Sequence, residues 1–285
     1  MNRIFKQLLI FVLFVFINPS ALLGQIIDLS QAKIISFEKK DPLVLNAITI
    51  LQEEISKRTN ITLTKGNKFP NQSQRAIVIG LENGLDKFPL EYRQLLTTMP
   101  EIKAEGYKIA VVPKKNVVLV VGNDSRGVLY GIGKLLRKLE LSQGQILLPS
   151  DLNIASSPAY PIRGHQLGYR PKTNSYDAFS VEQFDNYIRD LVIFGANSIE
   201  IMPPRTDDDF TSIHMKLPAI EMIVEQSKIC DKYGMDVWMW YPNLGSDYTS
   251  SDSLKLEMEE RRKVFKAVPR LDALFVPGGD PGDLE

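Results

Sequence analysis

Three carboxylates of this sequence lie at or near the ends of strand-like segments. Asp280 and Asp283 follow the apolar run that begins at Ala273, and Glu200 lies within "SIEIMPP". A glycosidic bond is usually cleaved by two carboxyl groups, about 5 to 5.5 Å apart for retention or about 6.5 to 9.5 Å apart for inversion. We therefore predict Asp280 and Asp283 as catalytic residues and Glu200 as a substrate ligand. A loop cap for Asp280 and a paired core carboxylate for Glu200 are the alternatives.

Ring side chains occur at the ends of neighbouring strand-like segments. Trp240 and Tyr241 end "DVWMWYP", where a ring can offer its face to the apolar C–H patch of a pyranose. Trp238 and Trp240 are two positions apart and so face one side of a strand; we expect Trp240, nearer the strand end, to contact the sugar. His165 in "IRGHQLG" is predicted to hydrogen-bond a sugar hydroxyl. Core packing is the alternative for each of these rings.

Other polar clusters lack the spacing of known sites. The aspartate run at 207–209 places carboxylates on adjacent residues, which rarely ligate one cation together, so we expect a solvated loop. The two histidines, His165 and His214, do not have the spacing of zinc ligands. The glycines at 122, 127, 131 and 133 fit no nucleotide-binding fingerprint, and close packing of a helix on a sheet is the preferred interpretation. We predict no metal and no cofactor.

A repeat of strand, polar loop and helix organises the second half of the chain. Strand-like segments begin near Ile162, Ser198, Asp236 and Ala273, 36 to 38 residues apart. Apolar strands alternating with helices predict a parallel α/β sheet, either doubly wound or part of a (β/α)8 barrel, and the polar strand ends favour the barrel. A barrel needs about 250 residues. We therefore predict that residues 158–285 form the first four βα units of a TIM barrel and that the chain is truncated.

The first part of the chain predicts an exported protein with a small α/β domain. Arg3 and Lys6 precede an apolar run from Leu8 to Ile17, which indicates a signal peptide over residues 1–24; a membrane anchor is the alternative. Residues 25–157 mix strands and helices. The balance of 34 basic and 34 acidic side chains gives no reason to expect a nucleic-acid partner. With Cys230 as the only cysteine, no disulfide forms within the chain.

One stretch resembles known enzymes. "EGYKIAVVPKKNVVLVVGNDSRGVLYGIGKLLRKL" is similar to the end of the N-terminal α/β domain that precedes the barrel in α-glucuronidases of family 67 and β-hexosaminidases of family 20. "YPIRG" resembles the first barrel strand of hexosaminidases, which implies that Arg163 holds hydroxyls of a terminal sugar. "GANSIEIMPP" and "KYGMDVWMW" resemble the second and third strands.

The fourth strand departs from both families. Hexosaminidases carry G-G-D-E at this position, whereas this chain reads Gly278-Gly279-Asp280-Pro281. Asp280 matches the aspartate that orients the acetamido group, and Pro281 replaces the acid. α-Glucuronidases carry D-S-E-G-Q-P-G, of which "GGDPGD" resembles a shortened form. The resemblance implies a glycoside hydrolase acting on the terminal sugar of an oligo- or polysaccharide, and the signal peptide predicts that it is periplasmic or extracellular. The alternative is a carbohydrate-binding relative that lost its acid. The oligomeric state is not predicted.

Overall fold

The computed structural model describes residues 26–71, 74–167, 176–205, 214–242 and 249–275. The predicted signal peptide lies outside these ranges. The N-terminal part contains β1 (Ile26–Asp28), β2 (Lys33–Ser36), α1 (Pro42–Thr59), β3 (Thr64–Gly66), β4 (Ala76–Leu81), α2 (Leu90–Thr97), β5 (Tyr107–Val112), β6 (Val117–Gly122), α3 (Ser125–Leu136), β7 (Glu140–Ser142), β8 (Gln145–Pro149) and β9 (Asn153–Ser156). Short 3-10 helices span Glu82–Lys87 and Pro113–Lys115.

The second part alternates strands and helices. It contains β10 (Gly164–Gln166), a 3-10 helix (Tyr176–Ala178), α4 (Val181–Ile193), β11 (Ser198–Ile201), α5 (Ala219–Tyr233), β12 (Asp236–Trp240), α6 (Ser251–Ala267) and β13 (Ala273–Phe275). Among the described helices, none is long and apolar enough to cross a bilayer.

A six-stranded mixed sheet forms the centre of the N-terminal part, in the order β3-β2-β4-β6-β5-β9. Strands β3, β2, β4 and β6 are parallel, and β5 pairs antiparallel with β6 through a hairpin at residues 113–116. β6 is buried at every position because α1 and α3 cover one face and α2 covers the other. A smaller antiparallel sheet, β1-β8-β7, lies beside it.

The four strands of the second part form a parallel sheet in the chain order β10-β11-β12-β13. A doubly wound sheet reverses its strand order, and these four strands do not. Consecutive parallel strands joined by helices are what the first half of a (β/α)8 barrel contains. The structure thus confirms the predicted α/β fold, with a small N-terminal α/β part followed by βα units.

Local signals in the sequence account for several helix ends. Ser180 and Gln183 form a capping box at the start of α4, and Gly234 ends α5 in the left-handed conformation at φ +66°. Ser250 caps α6, and its hydroxyl accepts a hydrogen bond from the Ser253 amide, three residues further along the chain.

The predicted packing role of the α3 glycines is confirmed. A Cβ on Gly131 would lie 2.9 Å from Val120 Cγ1, and one on Gly127 would lie 2.1 Å from the carbonyl oxygen of Gly106. These distances are shorter than side-chain contacts allow, so the glycines let α3 approach the strands of the sheet. Glycine spacing here reflects packing of a helix on a sheet.

Replacing the α3 cap Asp124 with alanine should lower the free energy of unfolding by about 2 kcal/mol. Its two carboxylate oxygens accept hydrogen bonds from the amides of Gly127, at 2.9 Å, and Glu105, at 2.7 Å, so both donors would lose their partner. Urea denaturation measures the change. Ser250→Ala is the control and should lower the free energy of unfolding less, because the hydrogen bond that it removes is exposed and 3.5 Å long. Equal losses of unfolding free energy in Asp124→Ala and Ser250→Ala would contradict this account.

Candidate functional site

A row of three polar and aromatic side chains crosses the parallel sheet. Gln166 on β10, Glu200 on β11 and Trp238 on β12 are partners in register. Register partners in a parallel sheet point to the same face, which we call the Glu200 face. The Gln166 amide donates a hydrogen bond of 3.2 Å to a Glu200 carboxylate oxygen. An acid, an amide and an indole are thus adjacent on one surface.

The opposite face is packed against helices. Ile199, Ile201, Val237 and Met239 alternate with the row and are at most 1 % exposed. They belong to the hydrophobic cluster that also contains residues of α4 and α5. Alternation therefore turns Glu200 and Trp238 away from the helices, where both are half-buried.

Burial shapes the charge state of Glu200. Partial loss of solvent raises the pKa of its carboxyl group above the ordinary value, while the hydrogen bond from Gln166 acts in the opposite direction. Burial has the larger effect. The hydrogen bond from Gln166 therefore does not fully offset the cost of burying the ionised Glu200 carboxylate, as expected of a group that binds polar ligands.

The two tryptophans differ in exposure. Trp238 and Trp240 lie two positions apart in β12 and both point to the Glu200 face, as expected. Trp240 is only 4 % exposed, whereas Trp238 is half-buried. Trp238 is therefore the more accessible of the two rings on this face, and the predicted sugar contact of Trp240 stays a prediction. Position relative to the strand end did not determine exposure, because Trp240 is packed within the chain.

His165 lies in an aromatic cluster between β10 and α4. Its Nε2 atom is 2.8 Å from the Tyr187 hydroxyl, which is 3.0 Å from the Tyr176 hydroxyl. Burial, with a further contribution from Tyr176, raises the pKa of Tyr187 to about 12. His165 is in register with Ile199 and so lies on the helix-covered face, which gives it a packing role.

Tyr241 is also placed on the helix side of the sheet. The side chain is fully buried, with the guanidinium groups of Arg205 and Arg261 at 5.1 and 4.4 Å from the ring centre and with Phe265 of α6 in edge contact. Burial raises the pKa of the phenol, as does the nearby Glu260. These contacts pack the ring on the helix side of the sheet, and its role in sugar binding stays a prediction.

Arg163 precedes β10 at the amino edge of the sheet. Its guanidinium group donates to the carbonyl oxygens of Gly195, at 2.8 Å, and Tyr160, at 3.0 Å, and pairs with Glu105 at 2.6 Å. The predicted sugar-binding residues Arg163 and Glu200 are therefore not brought together. The described geometry gives Arg163 a role in joining the N-terminal part to the sheet.

The remaining predicted residues are mostly outside the structural description. Asp280 and Asp283, the predicted catalytic pair, lie outside the described residues, as do the aspartates at 207–209, and their roles stay predictions. His214 lies within the described ranges and is exposed. In the part of the chain that is described, no group of three or more candidate metal ligands occurs.

Sequence reasoning did not identify Gln166, and it preferred Trp240 to Trp238. Both residues could be found from the register of the parallel strands, because residues aligned with Glu200 in neighbouring strands share its face. The sequence alone does not give the register of each strand pair.

Solved structures of glycoside hydrolases share this fold over most of the chain. Flavobacterium johnsoniae chitobiase, of family 20, aligns with 89% of this chain and 42% of its own, at TM-score 0.60 and 17% identity. CpGH84B aligns with 90% of this chain and 42% of its own, at TM-score 0.59 and 14% identity. The family 20 β-N-acetylhexosaminidase of Streptomyces coelicolor A3(2) aligns with 77% of this chain and 44% of its own, at TM-score 0.56 and 13% identity. These likenesses show the fold, and the chain spans about two fifths of the length of the structures that it matches.

The family relationship comes from the N-terminal part. Residues 27–135 match the family described as "Glycosyl hydrolase family 67 N-terminus", a range that includes the motif quoted above. The chain is thus related to glycoside hydrolases, and the predicted resemblance to the family 67 and family 20 group is confirmed. A comparison with curated proteins finds no match.

Proposed function

We propose that this chain is part of an exported glycoside hydrolase that acts on the terminal sugar of an oligo- or polysaccharide. The observation that carries the proposal is the half-buried Glu200 carboxylate, aligned with Gln166 and Trp238 on the face of the sheet opposite the described helices α4 and α5. The relationship to glycoside hydrolases supports the same class. Polar groups that converge beside an aromatic ring are typical of sugar sites.

Each residue of the row has a defined part in this proposal. Glu200 accepts hydrogen bonds from sugar hydroxyls, Gln166 orients the carboxylate, and Trp238 packs against the apolar face of the ring. The predicted acids Asp280 and Asp283 follow β13 in the sequence, and we propose that they supply the catalytic carboxyl groups. One acid would protonate the leaving oxygen while a second carboxylate assists attack at the anomeric carbon.

The charge of Glu200 favours a neutral sugar. A uronic acid placed against this row would bring a second negative charge near a carboxylate that is already partly desolvated, and like charges at short range repel. We therefore propose an N-acetylhexosamine or another neutral pyranose as the preferred terminal unit. The direct test compares hydrolysis of 4-nitrophenyl N-acetylglucosaminide with that of the matching glucuronide, using the protein expressed at full length from its gene. Faster hydrolysis of the glucuronide would contradict the preference for a neutral sugar, and hydrolysis of no glycoside in a panel that also contains other neutral pyranosides would contradict the enzyme proposal.

Replacing Trp238 with alanine should weaken sugar binding about 10-fold, because stacking on an aromatic face contributes about 0.5 to 1.5 kcal/mol in addition to the buried area. Calorimetric titration with a neutral sugar measures this. Tyr160→Ala is the control, since Tyr160 is 73% exposed and lies at the other edge of the sheet. Equal affinity in Trp238→Ala and Tyr160→Ala would show that the ring does not contact the sugar.

Export is part of the same proposal and is supported by the apolar run from Leu8 to Ile17. The mature protein should begin near Gln25, which N-terminal sequencing of secreted material tests. Recovery of the chain only inside the cell, with Met1 intact, would contradict export.

The second candidate function is sugar binding without catalysis. The sequence observation that favours it is Pro281, which stands where hexosaminidases carry their acid. Binding of a neutral sugar by the full-length protein with no hydrolysis of any chromogenic glycoside would support this candidate over the enzyme.

A further inference from the structure

The contact between the N-terminal part and the parallel sheet is organised around the carboxylate of Glu105. One oxygen accepts a hydrogen bond from Arg126 at 2.8 Å and the other from Arg163 at 2.6 Å. The Asn197 amide lies 3.2 Å from both oxygens. Glu105 belongs to the turn before β5, whereas Arg163 and Asn197 immediately precede β10 and β11. A single side chain of the N-terminal part thus binds two strands of the sheet.

A third strand is reached through Arg126. This arginine of α3 pairs with Glu105 and also with Asp236, the first residue of β12, at 2.5 Å. Its Nε donates to the carbonyl oxygen of Gly234 at 2.8 Å. Arg270, just before β13, pairs with Asp236 at 2.7 Å. The network therefore runs along the amino edge of the whole parallel sheet.

The backbone of Glu105 is held in an unusual conformation. Its φ of +60° lies in the left-handed region, which costs free energy for a residue with a Cβ. The Glu105 amide donates to the Asp124 carboxylate at 2.7 Å, which helps to hold this conformation. A strained backbone conformation persists only where the surrounding structure holds it, and such residues cluster at functional sites.

The network binds each strand a few residues before the proposed sugar site. Arg163 precedes Gln166 by three residues, and Asn197 precedes Glu200 by three. Asp236 precedes Trp238 by two. At about 3.3 Å per residue, the carboxylate of Glu105 is joined to strand positions within about 10 Å of the row. The relative positions of the three strand starts therefore determine the spacing of the three site residues.

We infer that Glu105 is a positioning residue for the site on the Glu200 face. Through Arg163, Asn197 and Arg126, its carboxylate sets the relative positions of β10, β11 and β12 and thereby the distances among the three residues of the row. The N-terminal α/β part thus acts as the template on which the parallel sheet is aligned. The assignment of that row as a sugar site rests on the proposed function, whereas the alignment of the strands does not.

The experiment uses the tryptophans as native-state probes, because the two tryptophans of the sequence, Trp238 and Trp240, both lie on β12. In a Trp240→Phe background, Trp238 alone reports on the row. Glu105→Gln is introduced there, since it keeps the side-chain shape and removes the charge. The matched control is Glu91→Gln, because Glu91 pairs with Lys115 on the exposed surface of the N-terminal part.

We expect Glu105→Gln, under conditions where circular dichroism shows it fully folded, to raise the acrylamide quenching constant of Trp238 about twofold and to weaken neutral-sugar binding about 10-fold. Glu91→Gln should change neither. A folded Glu105→Gln protein with the quenching of its parent would overturn the inference and leave Glu105 a role in stability alone.

Two further outcomes can be distinguished from a failure of the positioning role. If the parent protein binds no sugar but the quenching difference is present, the proposed function fails and the positioning role stands. If Glu105→Gln does not fold, Arg163→Gln replaces it, because glutamine removes the charged partner through which the Glu105 carboxylate reaches β10. Unchanged Trp238 quenching in folded Arg163→Gln would then overturn the inference.

Discussion

Replacing Glu200 with glutamine is expected to reduce sugar binding and hydrolysis by about 10- to 100-fold without lowering the stability of the fold at neutral pH. A hydrogen bond to a charged group contributes about 1.5 to 3 kcal/mol, and glutamine offers the sugar a neutral acceptor in place of a carboxylate. The side chains have the same shape, so the row on the sheet is retained. Titration calorimetry and chromogenic hydrolysis measure the loss.

The stability of this variant should depend on pH in a specified direction. Burial raises the pKa of Glu200 in the folded state, so the contribution of this group to stability is full at pH values below its unfolded pKa and is lost as the pH rises through its folded pKa. Glutamine does not titrate. The unfolding free energy of Glu200→Gln relative to the natural protein should therefore increase with pH from about 4.3 upward and become constant above the folded pKa. Urea denaturation at several pH values tests this.

Glu221→Gln is the matched control for both measurements, because Glu221 is exposed in the first turn of α5 and lies off the Glu200 face. It should change neither sugar affinity nor the pH dependence. The prediction is contradicted if Glu200→Gln binds sugar like the natural protein, or if its stability relative to that protein falls with rising pH.

Replacing Gly133 with alanine should lower the free energy of unfolding by about 2 kcal/mol. A Cβ at this position would lie 2.3 Å from the carbonyl oxygen of Ile193 and 3.0 Å from its carbonyl carbon. These are backbone atoms at the end of α4, so one of the two helices must move. Overpacking costs about 3 kcal/mol at the upper end of its usual range, and the higher helix propensity of alanine offsets about 1 kcal/mol.

The contact around Gly133 joins α3 of the N-terminal part to the end of α4, one of the helices that pack on the parallel sheet. The Arg137 side chain also donates a hydrogen bond to the Ile193 carbonyl oxygen, and the movement would disturb it. Gly84→Ala is the control, because its nearest neighbour is the end of the Glu38 side chain at 3.4 Å, an ordinary contact. Chemical denaturation compares the variants. Equal stabilities would show that the two parts tolerate a wider separation than the structure indicates.

Much of the local structure was predictable because its causes are local. The capping box of Ser180 and Gln183, the left-handed end of α5 at Gly234 and the hairpin between β5 and β6 each depend on residues within a few positions of one another. The apolar period of α1 and the continuous apolar run of β6 likewise report burial on one face or on two. The relationship to glycoside hydrolases was carried by such a contiguous stretch.

The functional side chains depended on contacts that are not local. A strand alternates its side chains, and only the tertiary structure decides which face the helices cover. His165 and Tyr241 therefore lie with the helices, whereas Glu200 and Trp238 face away from them.

Arg163 shows the same limit most clearly. The resemblance to hexosaminidases implied that it holds a sugar, and the structure pairs its guanidinium group with Glu105, 58 residues earlier in the chain. The sequence by itself determined the elements and their order, since hydrogen-bonding and apolar periods act over a few residues. The tertiary structure alone decided which side chains share a face and which charges meet, because register and packing join residues that are distant in the chain.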